Sequence, residues 1–202
     1  MLFKGYGAKV GLGNMRVKAE NRMLTSGQKL SGKVEPNMYS VEMKRVEGSA
    51  GVRLLECTNP VKDKWRVRWD VKEREDGSAS YMESEFNGKP SVESVRKMIM
   101  DWCNSVTSSR ILSGFEYGGH LVWLSGENQQ NYKSAYDLAV RTNGDNLPVT
   151  FKFGDDDNPY YQKFTDITGL EDFYIRMTRH IQNALYDGWK MKDSLNMDLY
   201  RL

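Results

Sequence analysis

Apolar and polar positions alternate most strictly at Trp65-Arg66-Val67-Arg68-Trp69-Asp70-Val71. Trp65, Val67, Trp69 and Val71 fall on one side and Arg66, Arg68 and Asp70 on the other, the period-two pattern of a strand with one buried face. The neighbouring runs fit the same reading. Val41, Met43 and Val46 form a short apolar run, and Gly48-Ser49-Ala50-Gly51 turns the chain into Val52, Leu54 and Leu55. Asp76-Gly77-Ser78 then turns it from the tryptophan strand into Tyr81 to Phe86. Three or four antiparallel strands over residues 36–90 would give a small sheet with one apolar and one charged face. Asn87-Gly88-Lys89-Pro90 breaks the pattern and marks a domain boundary.

After Ser91 the period lengthens. Val92, Val95, Ile99, Trp102 and Val106 recur at steps of three and four, the stripe of an amphipathic helix with Ser91 as its N-cap. Ser108-Ser109 weakens that helix, and Gly114 ends the connection that follows it. Gly118-Gly119 between Phe115-Glu116-Tyr117 and His120-Leu121-Val122-Trp123-Leu124 predicts a tight hairpin that pairs Tyr117 with His120 and Phe115 with Val122. Ser125 caps a second helix carrying Tyr132, Ala135, Tyr136 and Ala139 inward, stopped at Asn143-Gly144. Val149, Phe151 and Phe153 alternate in a strand that turns through Gly154 to Pro159 and returns as Tyr160 to Phe164. Thr168 with Glu171 reads as a capping box for the last helix, whose core stripe is Leu170, Phe173, Tyr174, Met177, Ile181 and Leu185. Gly188 is expected to weaken or end it near Trp189. The predicted fold class is α+β: an N-terminal antiparallel β-sheet region followed by a helix-hairpin-helix-hairpin-helix domain over 91–202.

Residues 1–35 lack apolar periodicity and are punctuated by Gly5, Gly7, Gly11 and Gly13, the pattern of an extended arm. No stretch approaches the apolar length of a membrane span or of a secretory leader, so no membrane association is expected. Cys57 and Cys103 form no metal-ligand spacing and no disulfide framework, and read as buried, reduced thiols. The net charge of +2 is unevenly spread. Residues 1–90 hold 17 Lys and Arg against 12 Asp and Glu, and the remainder 12 against 15. That asymmetry is milder than the basic stripe of most nucleic-acid-binding domains.

The candidate chemical groups each have a structural reading beside the functional one. His120 and His180 are the only histidines, lie on a hairpin and a helix, and have no third ligand for zinc. Asp155, Asp156, Asp157 and Asn158 cluster oxygen ligands but lack the spacing of a calcium loop, and read as a solvated turn. Arg66 and Arg68 beside Trp65 and Trp69 have the residue types that grip single-stranded nucleic acid, yet alternation sends the arginines and the tryptophans to opposite faces. Of Tyr160 and Tyr161 only one can face the core of a strand, which leaves the other for a partner. No catalytic residue, cofactor or metal is expected.

The stretch from Arg96 to Lys192 resembles a domain-of-unknown-function family common in bacteriophages and prophages, whose members often sit at the C-terminal end of tail-fibre or other tail-associated proteins. The resemblance is carried by the helix bearing Arg96, the turn into Gly114-Phe115-Glu116-Tyr117, Trp123-Leu124-Ser125, and the Glu127-Asn128-Gln129 opening of the next helix. It extends to the aromatic strand after Pro148 and the long last helix with His180 and Lys192. It implies a phage virion or tail-assembly protein that works by contact with other phage structural proteins, as an oligomer or part of a larger assembly, in the virion or the host cytoplasm. Arg66, Arg68, Tyr160 and Tyr161 are the expected contact residues. The alternative is a nucleic-acid-binding module using the basic face of the 65–71 strand.

Overall fold

The computed structural model describes residues 42–201. The arm expected over 1–35, the start of the domain expected from residue 36 and the apolar position Val41 lie outside them. Over these described residues the protein is α+β, with an antiparallel sheet on the N-terminal side and three α-helices. Its chain divides into two compact units, one running to Ile99 and resuming at Asn196, the other Met100–Leu195. The strands end where Asn87 to Pro90 was expected to break them, while the units divide further on, within a helix.

The first unit is built on β1 (Lys44–Ser49), β2 (Leu55–Asn59), β3 (Lys64–Glu73) and β4 (Ser78–Asn87), in the order β1-β4-β3-β2 and antiparallel throughout. Residues directly opposite one another share a face. Trp65 stands against Phe86, Val67 against Ser84 and Leu55, and Trp69 against Met82, which makes the apolar face. The alternation fails at Asp70. The register passes from Trp69 opposite Met82 to Lys72 opposite Ser80, three residues of β3 against two of β4. Asp70 takes φ +49° at this bulge, where its carboxylate pairs with Arg45. Lys72, rather than the expected Val71, therefore continues the pairing on the far side. A short 3₁₀ turn, Met197–Tyr200, returns to this unit and buries Tyr200.

Helix α1 (Val92–Ser113) starts as expected, with the Ser91 hydroxyl accepting from the Ser94 N–H at 3.1 Å. Val95, Met98 and Ile99 are buried in its first half. The seam then runs through Cys103 and Thr107, not Val106, which is 37 % exposed. Ser108-Ser109 does not interrupt the helix, and Gly114 follows it, its N–H donating to the Arg110 carbonyl.

In the second unit the chain continues as β5 (Phe115–Tyr117), β6 (His120–Val122), α2 (Gly126–Arg141), β7 (Val149–Gly154), β8 (Pro159–Phe164) and α3 (Ile167–Asp193). The first hairpin has the expected register, and Gly118 and Gly119 both take positive φ, as a two-residue turn of this kind requires. The core is aromatic and centred on Phe173 of α3. The rings of Phe115, Tyr117, Tyr132, Phe151, Phe153 and Phe164 all lie within 6.0 Å of it. They come from both hairpins and α2, so one side chain ties three elements to the last helix.

Two expectations about α3 need correction. Its N-cap is Asp166, whose carboxylate accepts from the Gly169 N–H at 2.8 Å, two residues before the expected Thr168. Glu171 does not reach back to close a capping box; it accepts from the Tyr136 hydroxyl at 2.9 Å. Gly188 does not end the helix, which runs on to Asp193. It is buried, and a Cβ there would lie 3.1 Å from Thr107 Cγ2 and closer still to Thr107 Oγ1. Gly188 is where α3 comes against α1, and a glycine allows the approach.

Candidate functional site

The charged face of the first sheet is an ion ladder closed on itself. Lys64 lies 3.1 Å from Glu85, and Arg66 lies 3.3 Å from Glu83 and 4.0 Å from Glu85. Arg68 holds Glu83 at 3.1 Å and Glu56 at 2.9 Å, and its guanidinium also donates to the Arg53 carbonyl at 2.8 Å. The geometry follows from register: Arg66 stands opposite Glu85 and Glu56, and Arg68 opposite Glu83. Cross-strand pairs of opposite charge are favourable when neighbours, and here they leave little surplus positive field for a phosphate backbone.

Arg68, expected to face outward, is 7 % exposed. Its side chain lies over the Tyr81 ring, 5.5 Å from the centroid, and its own carbonyl accepts from the Tyr200 hydroxyl at 2.8 Å. Burial disfavours the charge, but hydrogen bonds and attraction from Glu56 and Glu83 hold the guanidinium above its ordinary range. Glu83 is buried with it. Arg68 is thus a structural cation, and Arg66 is the half-exposed member of the expected pair. Burial also pushes the Tyr200 phenol up to about 12.

Both predicted contact tyrosines lie on β8, and neither is buried. Tyr161 is 64 % exposed, paired opposite Lys152. Tyr160 sits opposite the buried Phe153 and so shares its side, but beside the turn of the hairpin it remains 39 % exposed. It stacks on His120 with ring centroids 3.6 Å apart and planes 6° apart. Leu121 and Trp123, which flank the buried Val122, are exposed as well.

The remaining candidates have settled structural contacts. His180 Nε2 lies 3.0 Å from the Arg110 carbonyl, with its ring 5.5 Å from Phe115. The Asp155 carboxylate accepts from the N–H groups of Asp157 and Asn158, and Asp156 pairs with Lys152, so the acidic run builds its own turn. Among the described residues, no three His, Cys, Asp or Glu side chains are grouped to hold a metal ion. No helix among them is long and apolar enough to cross a membrane. Cys103 is buried and Cys57 half-buried.

The polar opening of α2 has a definite role. Asn128 donates to the Trp123 carbonyl and Gln129 to the Leu124 carbonyl, both at 2.8 Å, while Ser125 caps the Asn128 N–H. These bonds fix the strap between β6 and α2 and so present Trp123. Sequence reasoning missed the clamp on Tyr117. Its hydroxyl donates to Asp172 at 3.1 Å, and Arg176 holds the same carboxylate at 2.9 Å. Burial and then the Asp172 bond push the phenol up, while Arg176 holds the carboxyl below its ordinary range. The only sequence signal was the i,i+4 spacing of Asp172 and Arg176. The chain matches no family model, no curated protein and no solved structure.

Proposed function

We propose that the chain is a non-enzymatic structural or tail-assembly protein of a tailed bacteriophage, acting through protein–protein contacts. The observation that carries this reading is a division of labour among side chains. The groups singled out for chemistry are engaged in ion pairs, turns and packing, while large apolar and aromatic side chains on ordered elements are exposed. Tyr160 and Tyr161 project from the second hairpin, Trp123 from the strap between β6 and α2, and Tyr186 and Trp189 from α3. Tyrosine and tryptophan are the residues that interfaces favour, because they offer rigid area with a polar edge.

The phage setting is supported by the resemblance of residues 96–192 to the tail-associated family. In this reading the helix-hairpin-helix-hairpin-helix run is the docking domain, and the self-neutralised sheet is a spacer or second contact. Mass spectrometry of purified particles and of tail-assembly intermediates tests it. The chain is expected in one of them, cross-linked to another structural protein. Its absence from both would overturn the reading.

A further inference from the structure

The ion pairs of the first sheet relocate the basic surplus of the N-terminal half. Residues 42–90 hold ten Lys and Arg against ten Asp and Glu, so the sheet region carries no net charge. Arg45, Lys64, Arg66, Arg68, Lys72 and Arg74 each lie within 4.0 Å of a carboxylate there. Lys89 lies over the Trp65 ring, 5.5 Å from its centroid. The whole surplus therefore belongs to residues 1–41, which hold seven Lys and Arg against two Asp and Glu. Spread over 90 residues that surplus is mild. Confined to 41 residues it is +5, against −3 for the rest of the chain.

We propose that residues 1–41 are a nucleic-acid contact, in which the seven Lys and Arg side chains from Lys4 to Lys33 neutralise phosphates and read no base sequence. The inference goes beyond the contact-protein reading and does not rest on it. Phosphate binding takes cations in excess of the carboxylates around them. Glu20 and Glu35 are the only acidic residues of the segment, so five of its seven cations are in excess. The sheet's cations are answered pair by pair, and the chain beyond residue 41 has a net negative charge, so attraction of a polyanion centres on the first 41 residues. Neighbouring cations there are two to seven positions apart, steps that let each reach a separate phosphate. An anionic membrane surface would ask for apolar residues at helical spacing beside the cations. Residues 1–35 have no such period, and Gly5, Gly7, Gly11 and Gly13 interrupt them, which favours the nucleic acid.

The test uses the full chain and a fluorescent DNA duplex of mixed sequence, about 30 base pairs long, with binding followed by anisotropy from about 50 mM salt upward. The logarithm of affinity is expected to fall against the logarithm of salt with a slope of about −4 to −6, the value for five to seven phosphates neutralised. Lys4→Gln, Lys9→Gln, Arg16→Gln and Lys18→Gln together leave three cations in the segment. They should weaken binding at least about tenfold and reduce the slope to about −3 or shallower, with an unchanged circular dichroism spectrum. Arg66→Gln, on the sheet, is expected to keep the slope of the unmodified chain. Failure to bind the duplex at low salt overturns the proposal, as does a fourfold variant that binds like the unmodified chain. Binding to vesicles of phosphatidylserine in phosphatidylcholine without binding to the duplex also overturns it. None of these failures touches the contact-protein reading, which stands or falls on the composition of the particles.

Discussion

Gly188 and Thr107 touch where α3 passes α1, with no room between them for a methyl group: a Cβ on Gly188 would come within 3.2 Å of Thr107 Cβ and within 3.1 Å of its Cγ2. By intrinsic propensity alone, Gly188→Ala would stabilise a helix interior by about 1 kcal/mol. The packing term opposes this and is larger, about 1–3 kcal/mol for an overfilled site. Gly188→Ala is therefore expected to lower the urea midpoint. Thr107→Ala, which removes the two nearest atoms, should recover part of the loss when combined with it. A stabilised Gly188→Ala variant would show that the helices can move apart freely.

The Arg68–Glu83 pair makes a sharper prediction because both members are buried. Glu83→Ala leaves the Arg68 charge in place with only Glu56 to answer it, and also removes a partner of Arg66. The expected loss is about 3–5 kcal/mol. Arg68→Met with Glu83→Leu removes both charges and should cost far less, or nothing. A thermodynamic cycle in urea measures the coupling directly. If the double variant is as unstable as the single ones added together, the pair contributes no coupling.

The cap of α3 separates two neighbouring residues that sequence reasoning confuses. Asp166 accepts from the Gly169 N–H, whereas Thr168 lies inside the first turn. Asp166→Ala should cost about 1 kcal/mol and Thr168→Ala only a few tenths. Chemical denaturation resolves the difference, and equal costs would refute the assignment.

That confusion shows where the sequence was legible. Patterns confined to a few residues read correctly: the Gly118-Gly119 hairpin with its register, the Ser91 and Ser125 caps, and the apolar spacing of Leu170, Phe173 and Met177. Features set by a distant partner did not. Thr168 and Glu171 have capping-box spacing, but Asp166 is as good an acceptor and Tyr136 competes for the glutamate. Gly188 reads as a helix breaker until Thr107, from another helix, is seen against it. Alternation places Arg68 on the face opposite the tryptophans, but it cannot say that Glu56 and Tyr81 will bury the side chain there or that Tyr200 will bond its carbonyl. The candidate contact residues Tyr160 and Tyr161 were found because turn signals placed them on a strand. The stack of Tyr160 on His120 required knowing that the two hairpins meet.

Two buried phenols set the expected behaviour at high pH. Burial raises Tyr132 and Tyr200 to about 12, against roughly 10 in an unfolded chain. Between these values the folded state retains protons that the unfolded state has released, so stability falls as pH rises. Their contribution is fully present below about pH 10 and is lost toward pH 12, at a limiting slope of about 1.4 kcal/mol per pH unit for each tyrosine. An ultraviolet titration of phenolate should show Tyr132 and Tyr200 among the tyrosines that ionise late, with unfolding overtaking them. Tyr200→Phe removes one of the two and also the hydrogen bond to the Arg68 carbonyl. It should therefore be less stable than the parent at pH 7, by about 1 kcal/mol, and lose less between pH 10 and pH 12. A variant whose stability falls as steeply as the parent's across that window would show that Tyr200 is not held neutral by burial against β3.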